Sequence, residues 1–147
     1  MYERLVEVPR LYAVLDQDGP SPPVVLAMRA LLSARYGEAF TRVSLGYYRD
    51  GRDSVAFHGD RIARTLPSAL VATVSVGAPR RFLMRPVGGG SSLAFSLGSG
   101  DLLVMGGSCQ RTWQHAIPKS RSAGSQSRIA IMFRPEWGES VEPREPG

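Results

Sequence analysis

Four residues in this chain have the types and spacing to do metal chemistry: His58 and Asp60 around Gly59, then His115, then Arg128. On a strand, residues i and i+2 point to the same face, so His58 and Asp60 are expected side by side. His115 is the only other histidine of the sequence. Two imidazoles and one carboxylate occupy one face of an octahedral iron(II) and leave the remaining positions open. Arg128 is the group that clamps a dicarboxylate lying on such an iron, through charge-assisted hydrogen bonds. These residues predict iron(II) as metal, 2-oxoglutarate and dioxygen as co-substrates, and oxidative chemistry.

The segment Arg128-Ile129-Ala130-Ile131-Met132-Phe133-Arg134 carries a second arginine on the same alternating strand. Positions i and i+6 share a face, so Arg128 and Arg134 are expected to point into one cavity. Inward arginines without an anion would be costly. The pair therefore suits a ligand with a carboxylate at each end.

Positioning these groups takes a scaffold of short strands. The chain has 16 glycines and 11 prolines in 147 residues, which favours turns over a helical bundle. Residues 5–15 alternate loosely around Pro9-Arg10, as an edge strand that tolerates proline. Ser21-Pro22-Pro23 reads as a cap followed by first-turn prolines, opening the one long helix. It runs through about Tyr36 and is stopped by Gly37, with Val24, Met28, Leu31, Leu32 and Arg35 marking its faces. Strands are expected at 40–48, 54–58, 70–76, 80–86, 92–97, 102–105, 112–115 and 127–133. Of these, 70–76 and 80–86 read as a hairpin closed at Gly77-Ala78-Pro79. The spacing predicts a mainly β chain, a jelly roll or barrel; the fold expected is a double-stranded β-helix (jelly roll) with one flanking helix, α+β overall. Residues 1–135 would form the domain and 136–147 a disordered tail rich in Glu, Pro and Gly.

Composition narrows the setting. Hydrophobic residues make up 43% and charged residues 21%, ordinary for a globular domain. Cys109 is the single cysteine, which excludes an internal disulfide framework and fits a reducing cytoplasm; it reads as a buried small apolar residue. The sequence has no apolar run of membrane-spanning length and no secretory opening, so a soluble protein is expected. The net charge of +5 favours phosphate backbones as partners.

With these residues in view, the sequence resembles the AlkB family of nucleic-acid dealkylating dioxygenases. The resemblance is carried by 45–60, with its Gly46-Tyr47-Tyr48, Gly turn and His58-x-Asp60. Further support comes from Val74 to Phe82, from Gly100-Asp101 through Trp113-Gln114-His115, from Pro118-Lys119, and from the closing Arg128-x5-Arg134 strand. It covers roughly residues 5–135. It implies that His58, Asp60 and His115 bind iron. Arg128 would salt-bridge the distal carboxylate of 2-oxoglutarate with the Tyr48 hydroxyl beside it, and Arg134 would meet the carboxylate nearer the metal. The implied activity is oxidative removal of alkyl groups from nucleic-acid bases. Three positions depart from the pattern. Gly46 stands where the family has Asn, so one co-substrate hydrogen bond is missing or supplied by other groups. Arg61-Ile62 stands where acidic residues contact the base, and the segment before Pro9 is short, so the nucleotide lid is reduced or the chain start is internal.

A base inside a duplex is unreachable, so the expected partner is single-stranded nucleic acid or a flipped nucleotide, bound by a monomer. Tyr2, Tyr12, Tyr47 and Phe57 are the aromatic candidates for stacking. Arg61, Arg64, Arg80, Arg81 and Arg85 are candidates for a phosphate-binding rim, Arg61, Arg80 and Arg81 foremost. Two other classes remain open on these residues: a metal-retaining jelly roll that only binds, and a dioxygenase for a small molecule or protein side chain.

Overall fold

The computed structural model describes residues 9–60 and 63–137, apart from the side chain of Arg64. In chain order the elements are β1 (Leu11–Val14), α1 (Pro23–Tyr36), β2 (Arg42–Tyr48), β3 (Val55–His58), a 3-10 turn (Ala63–Thr65), β4 (Val71–Gly77), β5 (Arg80–Pro86), β6 (Leu93–Leu97), β7 (Leu102–Met105), the single-turn α2 (Cys109–Thr112), β8 (Trp113–Ile117) and β9 (Arg128–Arg134). They form a five-stranded sheet, β1-β2-β9-β4-β7, facing a four-stranded sheet, β3-β8-β5-β6. All pairings are antiparallel and most join strands far apart in sequence, the topology of a jelly roll.

Alternation along the larger sheet divides its residues between two cores. Tyr48, Val71, Met105, Ala130 and Met132 turn inward and pack on Phe82, Met84, Leu97 and Ile117 of the smaller sheet. Val43, Ala72, Ile131 and Phe133 turn outward and receive Val25 and Leu32 of α1. Phe133 at 0% and Phe40 at 1% exposure anchor this second layer, each worth about 1.5–3 kcal/mol of burial. Both faces of β9 are thus covered, which fixes its register and sends Arg128 and Arg134 to the inter-sheet side.

Three details differ from the sequence pattern. The buried stripe of α1 is Val25 and Leu32 with Met28 and Tyr36 beside them, while Val24 and Leu31 are 60% and 72% exposed. The spacing i, i+3, i+7, i+11 satisfies helical periodicity one residue away from the expected face. Ser21 does not cap the helix; its hydroxyl bonds Asp16 Oδ1 at 3.0 Å, and Pro22 holds the cap position. Gly37 ends α1 in the left-handed conformation, its amide donating to the Ser33 carbonyl. Finally, β4 and β5 do not form a hairpin: β4 pairs with β7 and β9, β5 with β6 and β8. Gly77-Ala78-Pro79 instead carries the chain from one sheet to the other. Gly77 has φ +101, and a Cβ there would lie 2.5 Å from the Ser127 carbonyl oxygen. The tight corner exists only because that position lacks a side chain. The expected tail after Trp137 lies outside the described residues.

Candidate metal centre and co-substrate cavity

Strand pairing brings the two histidines together. In the β3–β8 ladder His58 lies directly opposite His115, with ring centroids 4.3 Å apart. A register irregularity between Val55 and His58 bends the end of β3. The chain then leaves the strand, so Asp60 reaches the site from the following segment rather than from the same strand as His58. One ligand-type atom of each of His58, Asp60 and His115 lies within 4.8 Å of the others. They converge on one side of a cleft of about 990 Å³ between the sheets.

Each of the three is held by other groups. His58 Nδ1 lies 2.7 Å from the Ala56 carbonyl. A carbonyl only accepts, so Nδ1 carries a proton and Nε2 is the ring nitrogen left to face a metal. His115 stacks on Phe82 at 5.4 Å between centroids. The Asp60 amide donates to Gln110 Oε1 at 2.9 Å. Gln110 is 1% exposed and spends its own amide on Met105 Sδ. It was not singled out in the sequence, where a glutamine 50 residues from its partner carries no local signal.

Electrostatics prepare the trio for a cation. Burial pushes His115 down to about 4, assisted by His58, Arg134 and Arg10 and opposed by Asp60. At neutral pH its imidazole is uncharged, the form that ligates metal. Burial opposes ionisation of Asp60, but the Arg134 guanidinium and the two imidazoles outweigh it and hold the carboxyl below its usual range. Arg134 Nε donates to Asp60 Oδ2 at 2.6 Å and Nη1 to Ser44 Oγ at 2.7 Å.

Arg128, Arg134 and Tyr48 all line the same cleft. Arg128 is 2% exposed. Its Nη2 donates to Ser75 Oγ at 2.9 Å, while Nε and Nη1 have no hydrogen-bond partner. Burial depresses the guanidinium, and the Tyr48 phenol opposes that effect. Buried charged donors left without acceptors are rare and costly. The residues present therefore fit an anion of carboxylate type at Arg128 and a divalent metal at the three ligands.

The candidate rim divides. Arg80 is not a rim residue: it is 2% exposed and bonds the backbone carbonyls of Asp50, Asp53 and Pro118. The strand alternation that makes Arg81 exposed drives Arg80 inward, where it ties the 50–53 turn to the strands. Arg85 lies over the Phe57 ring at 4.0 Å and bonds Gln114. Arg61, the side chain of Arg64, and Tyr2 lie outside the described residues. Tyr12 lines the cleft and also an apolar groove, to which Tyr47, Leu11 and Leu45 belong. Cys109 is half-buried against the inter-sheet core, and burial raises its thiol.

The model of the 2OG-Fe(II) oxygenase superfamily matches residues 17–134. The chain belongs to the 2OG-Fe(II) oxygenase superfamily. Iron(II) and 2-oxoglutarate are the group and co-substrate that this superfamily implies, and both correspond to features of the cleft. Its similarity lies with AlkB proteins. It is 30% identical over 140 residues to "Alpha-ketoglutarate-dependent dioxygenase alkB homolog 3" of Rattus norvegicus, covering 87% of this chain and 47% of that one. It is 29% identical over 125 residues to "DNA oxidative demethylase ALKBH2" of Homo sapiens, covering 78% and 48%. It is also 31% identical over 115 residues to "Uncharacterized protein R406" of Acanthamoeba polyphaga mimivirus, covering 78% and 60%. The chain thus spans about half the length of the first two relatives. Among solved structures, that of OsALKBH1 shares the fold with a TM-score of 0.56 at 18% identity, covering 81% of this chain and 66% of that one. No helix among the described residues of this 2OG-Fe(II) oxygenase is long and apolar enough to cross a membrane.

Proposed function

We propose that this chain is an iron(II)- and 2-oxoglutarate-dependent dioxygenase that removes alkyl groups from nucleic-acid bases. The observation that carries the reading is the joint presence, in one cleft, of the His58–Asp60–His115 trio and a buried Arg128 with two unpartnered nitrogens. The relatives named dioxygenase and DNA oxidative demethylase support the reaction and the substrate class.

In this reading His58 Nε2, an Asp60 carboxylate oxygen and a His115 ring nitrogen hold iron(II). When bound, the metal would supply oxidising chemistry with dioxygen: one oxygen atom would enter succinate as 2-oxoglutarate loses carbon dioxide, the other the alkyl carbon, which would then leave the base nitrogen as an aldehyde. Arg128, with the Tyr48 hydroxyl nearby, receives the distal carboxylate of 2-oxoglutarate. Arg134 keeps Asp60 ionised and presents its remaining donors to the carboxylate nearer the metal. Ser75 and Ser44 hold the two guanidinium groups in place. Tyr12 and Trp137, both on the cleft wall, exclude water and offer surfaces to a base. Arg81, exposed on β5, meets the phosphate backbone, with Arg61 assigned the same part. The protein acts as a monomer, and its single cysteine suits the cytoplasm.

The test is a coupled assay with iron(II), 2-oxoglutarate and a methylated single-stranded oligonucleotide, measuring succinate and formaldehyde together. Both products should form, and His115→Ala should abolish both. Succinate with no response to any oligonucleotide would assign the site to another substrate. No succinate despite bound iron would make the domain a binding module.

A further inference from the structure

Gly46 is buried in β2, where a side chain would be expected to face the cleft. A Cβ at this position would lie 2.7 Å from Arg10 Nη1 and 3.5 Å from the Met132 methyl. The space above Gly46 is therefore taken by the guanidinium of Arg10, which enters from the segment just before β1. Arg10 Nη1 donates to the Tyr48 hydroxyl at 3.2 Å. The guanidinium carbon lies 5.5 Å from the Tyr12 ring and 5.7 Å from the Tyr48 ring. Arg10 also lines the cleft together with Arg128.

The charges on this side of the cleft do not balance. The guanidinium groups of Arg10 and Arg128 both lie over Tyr48, the latter at 5.1 Å. The cleft wall carries two carboxylates, Asp60 and Glu136, and Asp60 is already engaged by Arg134. Arg10 lies near enough to Arg128 to disfavour its charged form. Arg80 also lies over this ring at 5.3 Å but is bonded to backbone carbonyls; the two cleft-lining charges, converging on one phenol beside unpartnered buried donors, call for an anion between them.

We propose that Arg10 is a 2-oxoglutarate-binding residue: it shares the distal carboxylate with Arg128 and Tyr48, and the absence of a side chain at Gly46 is what admits it. The inference rests on the co-substrate reading above and names an additional residue of that site. It also accounts for Gly46, the position that departs from the AlkB pattern. The polar contact absent from β2 is supplied from the β1 side by a charged group.

Calorimetric titration of the manganese-loaded protein gives a readout independent of turnover. Two ligands are compared: 2-oxoglutarate, and 2-oxovalerate, which has the same chain length and lacks the distal carboxylate. Arg10→Ala should weaken 2-oxoglutarate binding by about tenfold or more, the value of a charge-assisted hydrogen bond, and leave 2-oxovalerate unchanged. Arg10→Lys should fall between the two. Gly46→Asn, which fills the guanidinium's space against a movable side chain, should restore 2-oxoglutarate affinity when added to Arg10→Ala. Equal losses for both ligands in Arg10→Ala would overturn the proposal in favour of a general packing role, and disappearance of the Arg10→Ala effect in a Tyr48→Phe background would overturn it in favour of a bracing role for Arg10 on Tyr48. Unchanged affinity for both would also overturn it. Failure of the unaltered protein to bind 2-oxoglutarate would remove the co-substrate reading itself, an outcome distinct from either.

Discussion

Two of the three arginines that approach Tyr48, Arg80 and Arg128, are both 2% exposed, yet their surroundings are opposite. Arg80 reaches toward the 50–53 turn and gives both terminal nitrogens to three backbone carbonyls, leaving only Nε unpaired. Arg128 reaches into the cleft and gives one nitrogen to Ser75, leaving Nε and Nη1 unpaired. The first is a closed structural brace that cross-links loops of the sandwich. The second leaves two of its three nitrogens without a hydrogen-bond partner on the cleft wall, which is what the proposed co-substrate would supply. Burial alone does not separate a structural arginine from a binding one; the count of satisfied donors does.

That contrast can be broken most forcefully at Arg128. Arg128→Met removes an uncompensated buried charge, so stability should stay within about 1 kcal/mol or rise. Affinity for 2-oxoglutarate should fall by about 2–5 kcal/mol, that is, about thirtyfold or more. Denaturant unfolding and calorimetric titration of the same preparation read the two effects. Arg80→Met should behave in reverse. Stranding the carbonyls of Asp50, Asp53 and Pro118 should cost about 3 kcal/mol of stability, with 2-oxoglutarate affinity of the folded fraction unchanged. If both variants lost affinity and kept stability, the division between brace and binding residue would be wrong.

A smaller effect sharpens the same distinction at the metal. Gln110 touches no substrate; it positions Asp60 through one backbone hydrogen bond. Gln110→Leu should lower metal affinity by about tenfold, as outer partners of ligands commonly do, while Gln110→Glu keeps the acceptor and most of the affinity. Manganese titration checks this, and equal affinity in both variants and the unaltered chain would remove Gln110 from the site.

How much of this was legible beforehand follows from where each signal resides. His58, Asp60 and His115 were legible because the chain has two histidines and one of them stands two residues before an aspartate at the end of a strand. Arg128 and Arg134 were legible because a two-residue period puts both on one face. The same period argues equally for Arg80 and Arg81, and there the sequence misled: alternation says that one is inside, not which one or what it meets. The hairpin at Gly77 failed for a related reason. Two alternating strands and a glycine turn look the same whether they pair or part to opposite sheets, and only the distant partners β9 and β8 decide between these. Arg10 and Gln110 act through contacts spanning 38 and 50 positions. No local pattern marks such contacts.

The central claim is that one cleft holds a metal at His58, Asp60 and His115 and a dicarboxylate at Arg128. A crystal structure with manganese and 2-oxoglutarate tests it most directly. The account predicts the ion about 2–2.3 Å from a donor atom of each of the three residues, with the distal carboxylate about 2.7–3.2 Å from Arg128 nitrogens. A metal bound elsewhere, or a 2-oxoglutarate whose distal carboxylate leaves Arg128 still unpartnered, would contradict it.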